Sequence, residues 1–137
     1  MRVVLDTNIL VSTLIASSGA PATIYGLWED RKFTLLISAE QCEELRAVLK
    51  RPKVAMLVKP YTAGRLVNQL KRLAHMVDPL PRVNRSPDPN DDYLLALCEA
   101  GDAEYLVTGD KRGLLSLKRH GKTRIVAPSS FLSLISH

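Results

Sequence analysis

Aromatic side chains are scarce, at 5% of 137 residues, too few for the stacking platform on which many proteins hold single-stranded nucleic acid. Cysteine numbers two, Cys42 and Cys98. Both fall inside apolar helical patterns, where a free thiol behaves as a small hydrophobe, so neither reads as half of a disulfide or as a nucleophile. Histidine and cysteine nowhere cluster at zinc-ligand spacing. No apolar run approaches the roughly 20 residues that span a bilayer, and the opening MRVVLD reaches an acidic residue too early for a secretory signal. These two absences predict a cytoplasmic protein without membrane contact. Internal repeats and low-complexity tracts are missing as well.

What is present is a globular composition. Hydrophobic residues make up 46% and charged residues 24%. A chain of this length can bury one core but would be cramped as two, so a single domain over 1–137 is expected. Nineteen Lys and Arg against 14 Asp and Glu leave a formal charge of +5. The bases concentrate between Arg46 and Arg85 and again between Lys111 and Arg124, whereas the acids sit in small knots. Such a surface suits a polyanion, and solvated helix faces account for it equally well.

Residues 2–5 form a short apolar run ending at Asp6, after which Ile9, Leu10, Thr13 and Leu14 recur at helical spacing: strand, turn, helix. A loop over 17–21 leads to a helix over 22–30 and a second strand-like run over 33–37. Ser38 with Gln41 is a capping-box pair that starts a helix running through Leu49 and stopping near Pro52. Next come a predicted helix over 62–73, a short strand over 75–79, an exposed connection over 79–90 with four prolines, and helix again over 91–100. A strand over 105–108, a short helix over 113–119, a strand over 124–127 and a terminal helix over 129–135 complete the pattern. Apolar strands alternating with helices imply a parallel sheet covered on both faces, a three-layer α/β sandwich.

In such a sheet ligands gather beyond the carboxyl ends of the strands, where strand order reverses. Asp6 directly follows the first strand, and Asp110 follows the strand over 105–108 after one glycine. Both enter one crevice if those strands are neighbours. Helical phase nominates two further acids. Glu44 borders the stripe of Cys42, Leu45, Val48 and Leu49, whereas Glu43 and Glu40 turn towards solvent. Leu94, Leu95 and Cys98 stand three, four and seven positions after Asp91, which puts Asp91 on their stripe and Asp92 to the side. Each acid alone has an ordinary explanation: Asp6 and Asp91 as helix caps, Glu44 as surface charge, Asp110 as a turn residue. Converging on one crevice, however, four carboxylates repel one another unless protons or a cation compensate. A hard divalent ion that takes carboxylate oxygens and water is the simplest compensator.

The segments VVLDTNILVS (3–12), SAEQCEELRAVLKRPK (38–53), DPNDDYLLALC (88–98), YLVTGD (105–110) and RIVAPSSFL (124–132) occur in an order and spacing that is similar to the PIN-domain nucleases. The chain resembles in particular their branch of toxin components of toxin–antitoxin pairs (VapC-like), over essentially its whole length. The resemblance implies an α/β/α Rossmann-like sandwich with a central parallel sheet of about five strands. It also implies a Mg2+- or Mn2+-dependent endoribonuclease, an RNA substrate, a cognate antitoxin protein and a homodimer. The family acids map onto Asp6, Glu44, Asp91 and Asp110, with Asp6, Asp91 and Asp110 holding metal and Glu44 orienting or deprotonating the attacking water. Asn8 and Thr108 match polar residues that line the pocket, and Asp88 and Asp92 are secondary candidates.

Two departures stand out: Arg112 occupies a position where many relatives carry a further acid, and Asn90 replaces a common aspartate. The first lowers the expected affinity for a second metal ion. A catalytically weak or inactive module that binds RNA or docks an antitoxin is the alternative. Transfer through an aspartyl phosphate is disfavoured, because Asn8 stands where such enzymes usually carry a second aspartate and no suitably placed lysine is evident.

Overall fold

The structure, a computed structural model, describes residues 1–135. In chain order the elements are β1 (Arg2–Leu5), α1 (Thr7–Ile15), α2 (Ala20–Glu29), β2 (Thr34–Ile37), α3 (Ala39–Leu49), α4 (Pro52–Ala55), α5 (Pro60–Leu73) and β3 (His75–Met76). A 3-10 turn (Pro89–Asp91) then leads into α6 (Asp92–Gly101), β4 (Tyr105–Val107), a second 3-10 turn (Leu114–Leu117), β5 (Arg119–His120), β6 (Thr123–Val126) and α7 (Pro128–Ile135).

The strands form one sheet in the order β3-β2-β1-β4-β6-β5. Every pairing is parallel except β5 with β6. Five parallel strands therefore make up the centre, as expected, and the antiparallel β5 adds a sixth at one edge. Residues 113–119, expected to be a short helix, divide into the 3-10 turn and this edge strand. The strand expected over 75–79 closes after two residues, with one further bond from the Val77 amide to the Ile37 carbonyl; Pro79 and Pro81 have no amide hydrogen to extend the ladder. Pro52 ends α3 but also begins α4, because a proline fits the first helical position, where no amide donor is required.

Strand residues alternate between two cores. Val3, Leu5, Leu35, Ile37 and Val107 point to one face, where they meet Ile9 and Leu10 of α1, Ile24 and Trp28 of α2, Leu45 and Val48 of α3, Leu66 and Leu70 of α5 and Phe131 of α7. Val4, Leu36 and Leu106 point to the other, against Leu94, Leu95, Leu97 and Cys98 of α6 and Leu114. Because both faces are covered, the strands are apolar without interruption, and the result is a three-layer α/β/α sandwich. Cys42 and Cys98 are free, and burial pushes the Cys98 thiol up to about 12. Among the described residues no single helix is long and apolar enough to cross a membrane.

Strand order reverses between β1 and β4: the chain runs from β1 to β2 and β3 on one side, then returns to β4 and β6 on the other. A crevice beyond the carboxyl ends of β1 and β4 is the ligand position that this topology provides.

Candidate active site

The parallel register sets Leu5 opposite Val107, and the Asp6 amide extends the pairing by donating to the Val107 carbonyl at 2.9 Å. Asp6 thus enters the crevice beside the end of β4, on the first residue past an apolar strand. Its side chain is 7% exposed. One carboxylate oxygen, Oδ2, accepts from the Thr108 hydroxyl at 2.7 Å; the other, Oδ1, accepts from the Asn8 amide at 3.2 Å and so caps α1. Burial raises the Asp6 carboxyl from its ordinary range, the bonds from Thr108 and Asn8 oppose the rise, and the charges of Glu44 and Asp110 add to it. Capping and a place in the acidic crevice are both true of Asp6.

Thr108 is fully buried, and its hydroxyl oxygen also accepts from the Asp110 amide at 3.2 Å. Asp110 itself is exposed. Its Oδ1 accepts from the Gly113 amide at 3.1 Å, which closes the turn after β4. A Cβ on Gly113 would lie 2.1 Å from Asp110 Oδ2, so the absence of a side chain there is what leaves room for the carboxylate. Asn8 is exposed, and its amide, rather than its side chain, is what is seen to reach Asp6.

Glu44 is half-buried on α3, whereas Glu40 and Glu43 are exposed, as helical phase predicts. The hydroxyl of Tyr93 donates to Glu44 Oε2, and the Thr7 hydroxyl lies 3.3 Å from the same oxygen. Ser38 Oγ caps α3 by accepting from the Gln41 amide at 3.2 Å. The reciprocal half of the capping box is not formed, because Gln41 Nε2 donates to the Leu5 carbonyl at 2.6 Å and lies 3.5 Å from Thr7 Oγ1.

Asp91 departs from expectation in one respect. It lies in the 3-10 turn ahead of α6 and not on the helix, and its side chain caps nothing. It is half-buried, and its carboxyl is pushed up to about 6, first by burial and then by the charges of Asp6, Asp88, Glu44 and Asp110. Asp88 is exposed and caps the 3-10 turn by accepting from the Asn90 amide at 3.0 Å. Asp92 is occupied elsewhere. Its Oδ1 accepts from the Arg85 amide at 3.0 Å and the Ser86 amide at 2.7 Å, which pins the proline-rich connection to the start of α6.

Three residues that phase and spacing passed over complete the site: Thr7, Gln41 and Tyr93. Thr7 and Gln41 are each 1% exposed. A buried threonine beside a strand-end aspartate and a buried glutamine on an apolar stripe are polar groups that need partners, and that need is the signal available in the sequence. Burial and Glu44 push the Tyr93 phenol above its ordinary range, so it remains a donor.

Taken as a donor set, the crevice offers carboxylate and hydroxyl oxygens, which suit a hard cation such as magnesium or manganese. Among the described residues no group of three or more acidic, histidine or cysteine side chains is closed into a metal cage. Like charges have no reason to close on one another without a counter-ion.

No curated protein matches the chain. Among solved structures, a chain of the FitAcB crystal structure from Neisseria gonorrhoeae superposes with a TM-score of 0.53, covering 93% of this chain and 98% of that one at 15% identity. This likeness is one of fold. The sequence model of the PIN domain matches residues 2–112, a stretch that begins with the first strand and takes in every acid described above, and it places this chain in the PIN domain family.

Proposed function

We propose that this chain is a metal-dependent endoribonuclease that hydrolyses RNA phosphodiester bonds and serves as the toxin of a toxin–antitoxin pair. The observation that carries the reading is the bonding that gathers acids at the ends of β1 and β4: Thr108 Oγ1 bonds both the Asp6 carboxylate and the Asp110 amide, and Gln41 and Thr7 tie Glu44 to the Leu5 carbonyl at the same strand end, with the charges of all three acids acting on Asp91. PIN domains are in general nucleases, which agrees with a site built to compensate charge and not to bury it.

Asp6, Asp91 and Asp110 would hold the ion, with Glu44 beside it. When bound, a divalent cation neutralises charge on phosphoryl oxygens and makes water a stronger nucleophile near neutral pH. The protein's own part is positional. Thr108 and the Asn8 amide hold Asp6 in a fixed orientation, and Glu44 orients the attacking water and takes its proton. The chain's net charge of +5 favours a polyanion as substrate. An antitoxin partner, a homodimer and a cytoplasmic location belong to the same reading.

The test is cleavage of single-stranded and structured RNA, with manganese or with a chelator, by the wild type and by Asp6→Asn. Metal-dependent cleavage lost in the variant is expected. Equal cleavage by both chains refutes the site, and the absence of both cleavage and manganese binding by calorimetry turns the reading to a non-catalytic RNA-binding or antitoxin-docking module.

A further inference from the structure

We propose that Tyr93, with Thr7 behind it, is a positioning residue that holds one oxygen of Glu44 so that the other is presented to the crevice; the proposal rests on the nuclease reading above. The Tyr93 hydroxyl crosses from the start of α6 to the middle of α3 and donates to Glu44 Oε2. Thr7 Oγ1 stands 3.3 Å from that same oxygen and 3.1 Å from the phenol oxygen. Among the described residues, every hydrogen bond on Glu44 therefore falls on Oε2, and none on Oε1.

The hydrogens can be assigned without conflict. An ionised carboxylate only accepts, so the phenol proton goes to Glu44. The single hydroxyl proton of Thr7 then points to Glu44 or to the phenol oxygen, while a lone pair of Thr7 faces the Gln41 Nε2 donor at 3.5 Å. Gln41 is anchored in turn on the Leu5 carbonyl, the last residue of β1. The chain Leu5, Gln41, Thr7, Glu44 and Tyr93 thus fixes a carboxylate on a helix relative to the strand end that carries Asp6.

Packing alone does not call for this hydroxyl. The Tyr93 ring lies against the core beneath α6, a task that phenylalanine performs equally well. What the oxygen adds is a link between α3, which bears Glu44, and the segment that bears Asp91. A glutamate free to rotate would sample several rotamers, whereas one held at Oε2 offers Oε1 in a single direction. Groups that orient a catalytic residue from behind change rates by about 10–100-fold.

The test uses the full chain with Tyr93→Phe, Glu44→Gln and the double variant. Manganese-supported cleavage of an RNA oligonucleotide gives kcat and KM, and manganese titration calorimetry gives metal affinity. The Glu44 carboxylate carbon resonance is followed in metal-free protein labelled at glutamate carboxylates and assigned by its loss in Glu44→Gln. The expected result for Tyr93→Phe is a kcat lower by about 10–100-fold with KM and manganese affinity unchanged, together with a displaced Glu44 resonance. In the Glu44→Gln background the phenylalanine should lower the residual rate no further. A Tyr93→Phe chain that cleaves like an active wild type, a resonance that does not move, or an equal further loss in the double variant overturns the inference. An inactive wild type overturns the nuclease reading itself, and the resonance then decides the Tyr93 contact separately.

Discussion

Asp91→Asn should make the metal-free protein more stable. The Asp91 carboxyl is raised from 3.8 to about 6 by burial and by four neighbouring acids, a gap that at about 1.36 kcal/mol per pKa unit corresponds to about 3 kcal/mol. The side chain is partly open to solvent, and screening reduces the figure to about 1–2 kcal/mol. Asparagine keeps the shape and removes the charge, and the Asp91 side chain makes no capping bond that would be lost. For a domain of this size the gain is a rise in Tm of about 4–8 °C at about pH 7.5 in the presence of a chelator. The folded chain holds the Asp91 proton more tightly than the unfolded chain, so wild-type stability is lost as pH rises from 3.8 through about 6 and is not recovered above. The advantage of asparagine should accordingly shrink as pH falls through about 6 and vanish below about 4. Manganese should reverse the order of melting, because a ligand at 100 times its Kd adds about 2.7 kcal/mol to the chain that binds it. Thermal melts at several pH values, with chelator and with manganese, decide the matter. A variant less stable than wild type in chelator, or a difference that persists unchanged at low pH, would refute the coupling of these carboxylates.

Two further substitutions probe the supports of the site. Thr108→Val removes the hydroxyl that donates to Asp6 at 2.7 Å and leaves the buried volume nearly unchanged; the Asp6 carboxyl should titrate higher still, and manganese affinity by calorimetry should fall about tenfold. Gly113→Ala would put a Cβ 2.1 Å from Asp110 Oδ2 and 2.8 Å from its Cγ. Because Asp110 is exposed it can swing into solvent, so the fold should survive while RNA cleavage drops by about 10–100-fold; a variant that cleaves normally would remove Asp110 from the site.

Much of the crevice is legible from sequence because local rules govern it. Asp6 and Asp110 are marked by the ends of apolar strands, and Glu44 is separated from Glu43 by helical phase. The helical pattern that nominates Asp91 places it one element too late: α6 begins at Asp92, and Asp91 closes the 3-10 turn before it. Residues whose role depends on a distant partner are not legible in this way. Asp92 is adjacent to Asp91 and carries the same charge, yet its carboxylate is spent on amides six and seven residues earlier, along a loop path that no periodicity encodes. Tyr93 reads as core until α3 is brought alongside α6. The two-residue strand β5 is hidden for another reason: Arg119 and His120 carry no apolar signal, and their pairing with β6 alone makes them a strand.

The supports of the acids are distributed unevenly. Both oxygens of Asp6 are engaged, Glu44 is held at Oε2, and Asp110 is held at Oδ1. These bonds keep the three carboxyl groups fixed in orientation at the strand ends and on α3. Each ionised carboxylate still has acceptor capacity to spare, since it offers about four lone-pair sites. Asp91 makes no capping bond, and burial, followed by the charges of the neighbouring acids, displaces its titration. It is therefore the acid whose position a bound cation should change most, moving towards the ion from the mouth of the turn while Asp6, on the strand end, stays where the sheet puts it.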